Sequence, residues 1–213
     1  MEADDLRFFD PRGEIAFSAN RLPHWQQSGG IYFVTFRLAD SLPSELLRGW
    51  MAERETWLRL HPLPWSAAEE REHAERFLGA VESWLDAGHG ACVLGRQECA
   101  FEVGAAFTHF DGVRYDLVSW VVMPNHVHVL VRLYRDQALE RVLHSWKRFA
   151  SRRINMVLGG QGRLWQRDYF DRLVRDREHF NRCVRYIRRN PEKAKLRPGR
   201  YLLCESELAR QVE

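Results

Sequence analysis

Two histidines separated by one residue are the first groups in this chain whose spacing suggests chemistry. His126 and His128 lie in the apolar segment VVMPNHVHVLV, whose alternation is typical of a β-strand. Side chains two residues apart in a strand point to the same face, with Cα atoms ~7 Å apart. Both imidazoles can therefore reach one metal ion, and imidazole with added oxygen ligands suits Mg²⁺, Mn²⁺ or a transition metal. By itself this pair is a weak signal, because strand histidines also serve structural roles.

A tyrosine and an asparagine form a second pair near the C-terminus. Tyr186 and Asn190 are four residues apart in VRYIRRNPEK, which places both side chains on one face of a helix. A Tyr hydroxyl beside a divalent cation can act as a nucleophile, and an Asn carbonyl can complete the shell of ligands. Taken separately, Tyr186 is also typical of an amphipathic helix and Asn190 of a helix end before proline.

The hydrophobic pattern predicts the elements that position these groups. Strands alternate with helices in an order that favours an α+β fold, an antiparallel sheet covered by helices on one face, close to a ferredoxin-like arrangement. Strands are predicted over 30–38, 91–94, 99–107, 115–123, 126–133 and 169–175, with residues 123–125 as a tight hairpin connection. Helices are predicted over 43–60, 66–87, 137–157 and 176–190, the last one stopped by Pro191.

Composition excludes several classes of protein. The 213 residues are 45% hydrophobic and 29% charged, which indicates a folded globular domain. No apolar run approaches the ~18 to 20 residues needed to span a bilayer. The acidic N-terminus MEADDLRFFD has no signal-peptide pattern, so a cytoplasmic location is expected. The cysteines show no CxxC spacing and are expected to be reduced thiols.

The net charge of +3 hides a strong asymmetry along the chain. Residues 132–200 contain 20 Lys and Arg against 7 Asp and Glu, a net of +13, and the rest contains 12 against 22, a net of −10. Such a split favours a surface for a polyanion in the C-terminal half, although an Arg-rich solvated surface would give the same count.

Taken together, these segments resemble one specific family. The hairpin with MPNHVHVLV, the basic helix with HSWKRFASRRIN, the segment LWQRDYFDRLVRDREHF and the helix with VRYIRRNPEKAKL are similar to single-tyrosine HUH transposases, and within them to REP-associated tyrosine transposases. The resemblance covers about residues 30–196 and is strongest from Tyr115 onward. It implies an HUH-endonuclease core at 30–196 with a helical insertion at about 44–90, between an irregular lead-in at 1–29 and a tail at 197–213.

The resemblance also implies a mechanism and roles for single residues. Tyr186 would attack a backbone phosphate of single-stranded DNA, giving a 5′-phosphotyrosine and a free 3′-OH, and the reverse step would rejoin strands. His126, His128 and Asn190 would hold a divalent cation, Mg²⁺ or Mn²⁺, that polarises the scissile phosphate. The substrate would be single-stranded DNA with imperfect palindromes, and a monomer is favoured over a homodimer. Residues expected to contact DNA are Lys147, Arg148, Arg152, Arg153 and Trp165.

Three alternatives remain open at this level. Tyr169 is a competing nucleophile, although Tyr186 is preferred because its spacing to Asn190 matches the motif of the family. The protein can instead be a domesticated DNA-hairpin-binding protein without catalysis. It can also be a metal-dependent hydrolase that uses the two histidines on another substrate, in which case its activity would not depend on Tyr186.

Overall fold

The computed structural model describes residues 6–14, 16–19, 23–62 and 65–213. A short antiparallel hairpin of β1 (Ala16–Ala19) and β2 (Pro23–Gln26) comes first, so the prediction of an irregular lead-in is wrong for this stretch. The main strands are β3 (Ile31–Arg37), β4 (Tyr115–Val122), β5 (His126–Leu133), β6 (Phe170–Leu173) and β7 (Leu202–Glu205). They form one antiparallel sheet in the order β6, β3, β5, β4, β7, which confirms the predicted α+β class.

Seven α-helices occur in the described part of the chain. A π-helical stretch, Ala74–Leu78, joins the second and third of them. They are α1 (Ser44–Leu60), α2 (Ala67–His73), α3 (Gly79–Asp86), α4 (Gln97–Thr108), α5 (Leu139–Leu158), α6 (Arg177–Lys193) and α7 (Glu207–Arg210). Among the described residues, no helix is both long and apolar enough to cross a membrane.

The hairpin of β4 and β5 is present as predicted. The Met123 amide donates to the His126 carbonyl at 2.8 Å across the connection, and β5 pairs with β3 on its other side, with Thr35 opposite His128. This strand is therefore central in the sheet, and its two histidines are held by hydrogen-bonded neighbours on both sides.

Helices cover both faces of the sheet, not one as predicted. Val127, Val129 and Val131 of β5 pack on one face in a core shared with α4 and α5. Leu130 points to the other face and packs in a second core with α6. The prediction failed because β5 has apolar residues on both faces, and each apolar face needs its own cover.

Three further boundaries differ from the prediction. Residues 99–107 belong to helix α4 and not to a strand, since Cys99, Val103 and Phe107 recur every four residues on its buried side. Helix α6 continues through Pro191 and ends two residues later at Lys193, so the missing N–H and the ring of the proline disturb only the last turn. The tail provides β7, which pairs with β4 and so completes the sheet.

The predicted insertion folds as helices α1 to α3 against the sheet. Leu42, Val81 and Leu85 form a small core that includes Trp50 and, from β6, Phe170. Cross-strand partners share a face of a sheet, and Phe170 pairs with Thr35, which in turn pairs with His128. The insertion therefore covers the sheet on the same face as the two histidines.

Candidate active site

The two histidines face each other at the centre of the sheet. His126 and His128 are both buried, and their Nε2 atoms are 3.1 Å apart. The shared face follows from their spacing in β5, as predicted. Their Nε2 atoms thus converge on one point, where they share a hydrogen bond.

A hydrogen-bond chain sets the tautomer of His126. The Asn125 Nδ2 group donates to the carbonyls of Leu85 (3.2 Å) and His89 (3.1 Å), so its Oδ1 is the atom that faces His126 Nδ1 at 2.7 Å. Because that oxygen can only accept, Nδ1 of His126 carries the proton and Nε2 keeps its lone pair. Such an orienting partner is typical of metal-ligating histidines.

Thr35 plays the corresponding part for His128. Its Oγ1 lies 2.7 Å from His128 Nδ1, and a hydroxyl can donate or accept. Burial lowers the pKa of His126 to about 3, and burial, then the charge of His126, lowers the pKa of His128 well below its ordinary value. Both rings are therefore neutral, as metal ligation requires.

Asn190 supplies a third polar group, a buried side-chain amide. It is 1% exposed, and neither its Nδ2 nor its Oδ1 has a hydrogen-bond partner within 3.5 Å among the described residues. The Tyr186 hydroxyl interacts with this amide only weakly. A buried amide without partners costs ~1–3 kcal/mol. No cluster of three or more His, Cys, Asp or Glu side chains suited to a metal occurs in the described ranges. The two imidazoles and this amide are the predicted cation ligands, and their binding of a metal stays a prediction.

Tyr186 lies against the same histidines. Its ring makes edge contacts with His128 (5.1 Å between centroids) and with Phe33 (5.6 Å). Its hydroxyl interacts with the Glu82 carboxylate of α3 and, more weakly, with the Asn190 side chain. Burial, followed by the negative charge of Glu82, raises the pKa of Tyr186 far above its ordinary value. The phenol is therefore protonated at rest and has a carboxylate beside it that can accept the proton.

The insertion supplies this carboxylate, which the sequence analysis missed. Lys193, at the end of α6, holds α3 through Asp86 (3.1 Å) and Glu82 (3.8 Å). Burial raises the pKa of Glu82, whereas the hydrogen bond from Tyr186 lowers it. No motif links Glu82 to Tyr186, since they are about a hundred residues apart in the chain.

The competing tyrosine lies elsewhere. Tyr169 is buried in the core that contains Val127 and Val129, with the Lys147 ammonium 5.5 Å from the centre of its ring. That core occupies the opposite face of the sheet from His126 and His128. The geometry therefore favours Tyr186 over Tyr169.

The predicted DNA contacts on α5 also lie across the sheet from the histidines, because α5 packs on the opposite face. Arg148 and Arg152 are exposed one turn apart, so their contact with DNA stays a prediction, at a distance from the site. Arg153 is exposed but paired with Glu102 through two hydrogen bonds of 3.0 and 3.1 Å. These arginines therefore do not surround the scissile phosphate.

Two of the predicted contacts are corrected by the structure. Lys147 donates to the carbonyls of Gln166 (3.0 Å), Arg167 (3.1 Å) and Asp168 (3.5 Å), so its ammonium holds the loop rather than a phosphate. Trp165 is only 4% exposed and packs edge-on against a core phenylalanine, which excludes base stacking. Its backbone bridges to Leu38, the residue after β3, and this pairing draws the side chain inward.

The structural role of Lys147 predicts an unusual dependence of stability on pH. Burial lowers its pKa to about 8, from 10.5 in the unfolded chain, so between these values the unfolded state binds more protons and stability rises with pH. Relative to Lys147→Met, the free energy of unfolding of the wild type should rise by up to about 3 kcal/mol over this range. Urea unfolding of both proteins at several pH values measures this difference. A constant difference would mean that the ammonium is solvated.

Arg172 is a cation on the histidine face that sequence reasoning overlooked. It is exposed on β6 and pairs with Phe33, whose ring stacks on His128 at 5.6 Å. Its charge also acts on Glu82. Only the pairing of β6 with β3 reveals its position, because β6 is short and irregular in sequence.

Comparisons with known proteins agree with the resemblance seen in the sequence. The sequence model of the IS200-like transposases matches residues 106–190, which include His126, His128, Tyr186 and Asn190. This match confirms the predicted resemblance over that stretch, within the wider span predicted from the sequence. No curated protein matches the chain.

Two solved structures are similar to this chain at low sequence identity. One is a REP-associated tyrosine transposase bound to a REP hairpin, with 14% identity, a TM-score of 0.41, and coverage of 82% of this chain and 74% of that one. The other is a protein of Deinococcus radiodurans assigned as a transposase, with 12% identity, a TM-score of 0.32, and coverage of 85% of this chain and 97% of that one.

Proposed function

Because residues 106–190 match the IS200-like transposases, we propose that this protein cleaves and rejoins single-stranded DNA through a covalent bond to Tyr186. One observation carries the proposal. Two imidazole nitrogens 3.1 Å apart, a buried amide without partners and a tyrosine hydroxyl next to a carboxylate are assembled on one face of the sheet.

His126, His128 and Asn190 would hold a divalent cation, Mg²⁺ or Mn²⁺. The donor set fits such an ion, since both rings are neutral and the Asn190 oxygen has no other partner among the described residues. The bound cation would polarise the scissile phosphate and neutralise its developing charge. Asn125 and Thr35 would keep the two rings oriented.

Tyr186 is the nucleophile in this proposal. Its oxygen forms a bond to the phosphorus while the bond from phosphorus to the 3′ oxygen breaks, and the 3′ oxygen leaves with a proton as a free hydroxyl. In the reverse reaction a 3′-OH attacks the phosphotyrosine and releases Tyr186. The ester keeps the energy of the broken bond, so strands are exchanged without ATP.

Glu82 would take the proton of Tyr186 during the attack. The raised pKa of Tyr186 means that the phenol does not ionise by itself at neutral pH, and the hydrogen bond to Glu82 gives the proton a direct acceptor. Lys193 would keep the carboxylate in place through its contact at 3.8 Å. The insertion would thus form part of the catalytic apparatus.

The proposed substrate is single-stranded DNA with imperfect palindromes. The similar transposase was solved with a REP hairpin, and the net charge of +13 over residues 132–200 suits a polyanion. Arg172, exposed on the histidine face, would contact the phosphates next to the cleavage site. We propose a monomer, in which Tyr186 and the two histidines of the same chain act together.

Replacing Glu82 with Gln tests its role as the base. We expect cleavage to slow about 10²-fold, with hairpin affinity unchanged, because the amide keeps the shape and loses the basic oxygen. Asp86→Asn is the matched control, since Asp86 contacts Lys193 at 3.1 Å and is not hydrogen-bonded to Tyr186 in the described structure. Single-turnover rates on a labelled oligonucleotide measure both variants. Equal slowing of cleavage in Glu82→Gln and Asp86→Asn would mean that Glu82 only holds Lys193 and is not the base.

A denaturing-gel assay tests the function as a whole. A labelled single-stranded hairpin from the DNA that flanks the gene is incubated with the protein and Mg²⁺ or Mn²⁺. A protein-linked band that needs the cation supports a strand transferase. Tight binding without any adduct across several hairpins and both cations would favour the non-catalytic binding protein, and metal-dependent hydrolysis without an adduct would favour the hydrolase.

A further inference from the structure

A cavity lies beside the active site, between helix α1 of the insertion and the edge of the sheet. Its volume is about 310 Å³, at the small end of the ~300–1,000 Å³ typical of pockets for small organic ligands. Thr35 and Arg37 of β3 line it on one side, and Trp50, Met51 and Arg54 of α1 line it on the other. Nothing in the mechanism above uses this space.

The cavity borders the active site at Thr35. Thr35, which lines it, is the residue whose Oγ1 lies 2.7 Å from Nδ1 of His128. The pairing of β6 with β3 ends at Thr35 and Phe170, and beyond that point only the Gln166 amide bonds to β3, at the Arg37 carbonyl. The cavity opens where the loop at Gln166 separates from β3, and the Thr35 side chain lies between it and His128.

Two guanidinium groups in the cavity lack a close counter-ion. Arg37 is buried and donates to the Ser41 hydroxyl at 3.1 Å, and Arg54 donates to the His73 ring at 3.3 Å. Neither group forms a salt bridge within the described ranges, although the exposed Glu55 carboxylate also lines the cavity. Asp168, which also lines the cavity, acts on Arg37 only from farther away. Burying a cation without a partner is costly, so the site favours a ligand that is anionic or rich in hydrogen-bond acceptors.

Apart from Glu55, Gln166 and Asp168, the rest of the lining is apolar and aromatic. Trp50 is half-buried, and Met51 is 41% exposed. An indole next to guanidinium groups is a suitable surface for a nucleobase, because every base has a flat face that stacks and acceptor atoms that arginine can bind. A phosphate alone would leave the apolar lining without a role, and a hydrocarbon would leave both arginines unpaired.

We infer that this cavity takes one unpaired nucleotide of the substrate strand, next to the scissile phosphate. Its base lies against Trp50, and its acceptor atoms face Arg37 and Arg54. The inference rests on the proposed function and adds a task for the insertion, which is to select the nucleotide that flanks the cleavage site.

Arg54→Gln, with Arg59→Gln as the matched control, tests this inference. Arg59 is exposed on the same helix and bonds only to Thr56 in the described structure, outside the cavity. Affinity is measured by fluorescence anisotropy on a labelled hairpin whose flanking unpaired bases are replaced by abasic sites one at a time. In the wild type and in Arg59→Gln, one abasic position should weaken binding about tenfold. In Arg54→Gln, binding of the intact strand should be about tenfold weaker and that position should no longer matter.

A second variant covers the case in which Arg54→Gln loses stability through its contact with His73. Met51→Trp fills the cavity from its exposed side and should give the same loss, with an unchanged melting temperature. If both variants behave as Arg59→Gln does at every abasic position, while the wild type still forms its adduct, the cavity binds no nucleotide and only this inference fails. If the wild type forms no adduct and binds no hairpin, the proposed function itself fails.

Discussion

Replacing Tyr186 with Phe is expected to abolish the covalent protein–DNA adduct and to leave hairpin binding intact. The change removes the attacking oxygen, and loss of a covalent nucleophile lowers the rate by more than ~10³-fold. The ring contacts with Phe33 and His128 are kept, so the fold and the DNA surface should not change. The measurements are adduct yield on a denaturing gel and hairpin affinity by anisotropy.

Tyr169→Phe is the control for this experiment. Tyr169 lies in the core across the sheet from the histidines. Phe keeps the ring that contributes to the cavity lining, so this variant should form the adduct at the wild-type rate. An adduct that persists in Tyr186→Phe and disappears in Tyr169→Phe would reverse the assignment of the nucleophile. Loss of binding in Tyr186→Phe would mean that its hydroxyl has a structural role instead.

Replacing Asn190 with Leu should make the protein more stable and at the same time inactive. The buried amide has no hydrogen-bond partner among the described residues, so an apolar side chain of similar size removes a desolvation cost of ~1–3 kcal/mol. The same change removes a proposed ligand of the cation, and cleavage should fall by at least ~100-fold. Urea unfolding without metal measures the gain in stability, and the adduct assay measures the loss.

Asn155→Leu is the control, because the Asn155 amide donates to the Gly162 carbonyl at 3.0 Å. That variant should lose about 1 kcal/mol or less, since the hydrogen bond that it removes is exposed to solvent, and it should keep activity. Added Mn²⁺ should raise the melting temperature of the wild type and of Asn155→Leu but not of Asn190→Leu. A stability loss in Asn190→Leu, with cleavage preserved, would show that the amide is structural and would remove it from the metal site.

The features of this protein that depend on local periodicity could be predicted from its sequence. The alternation through 115–133 predicted the hairpin, the two-residue spacing of His126 and His128 placed them on one face, and the four-residue spacing placed Tyr186 with Asn190 on the last helix. The match to the IS200-like transposases falls on this same stretch. These features depend only on the two-residue repeat of a strand or the 3.6-residue repeat of a helix, and both repeats can be recognised from neighbouring residues in the sequence.

The contacts between distant helices and strands could not be predicted from the sequence and are seen only in the folded chain. The sequence of their helix and loop does not show whether Lys147 and Trp165 face DNA or the interior. The answer depends on the loop over 165–168, which accepts hydrogen bonds from Lys147 and pairs with Leu38 through Trp165. Glu82 reaches Tyr186, and Thr35 reaches His128, only because the insertion and β3 cover the same face of the sheet. Contacts of this kind join residues about a hundred positions apart, and sequence periodicity does not extend over that distance. They arise because helices pack on both faces of one sheet.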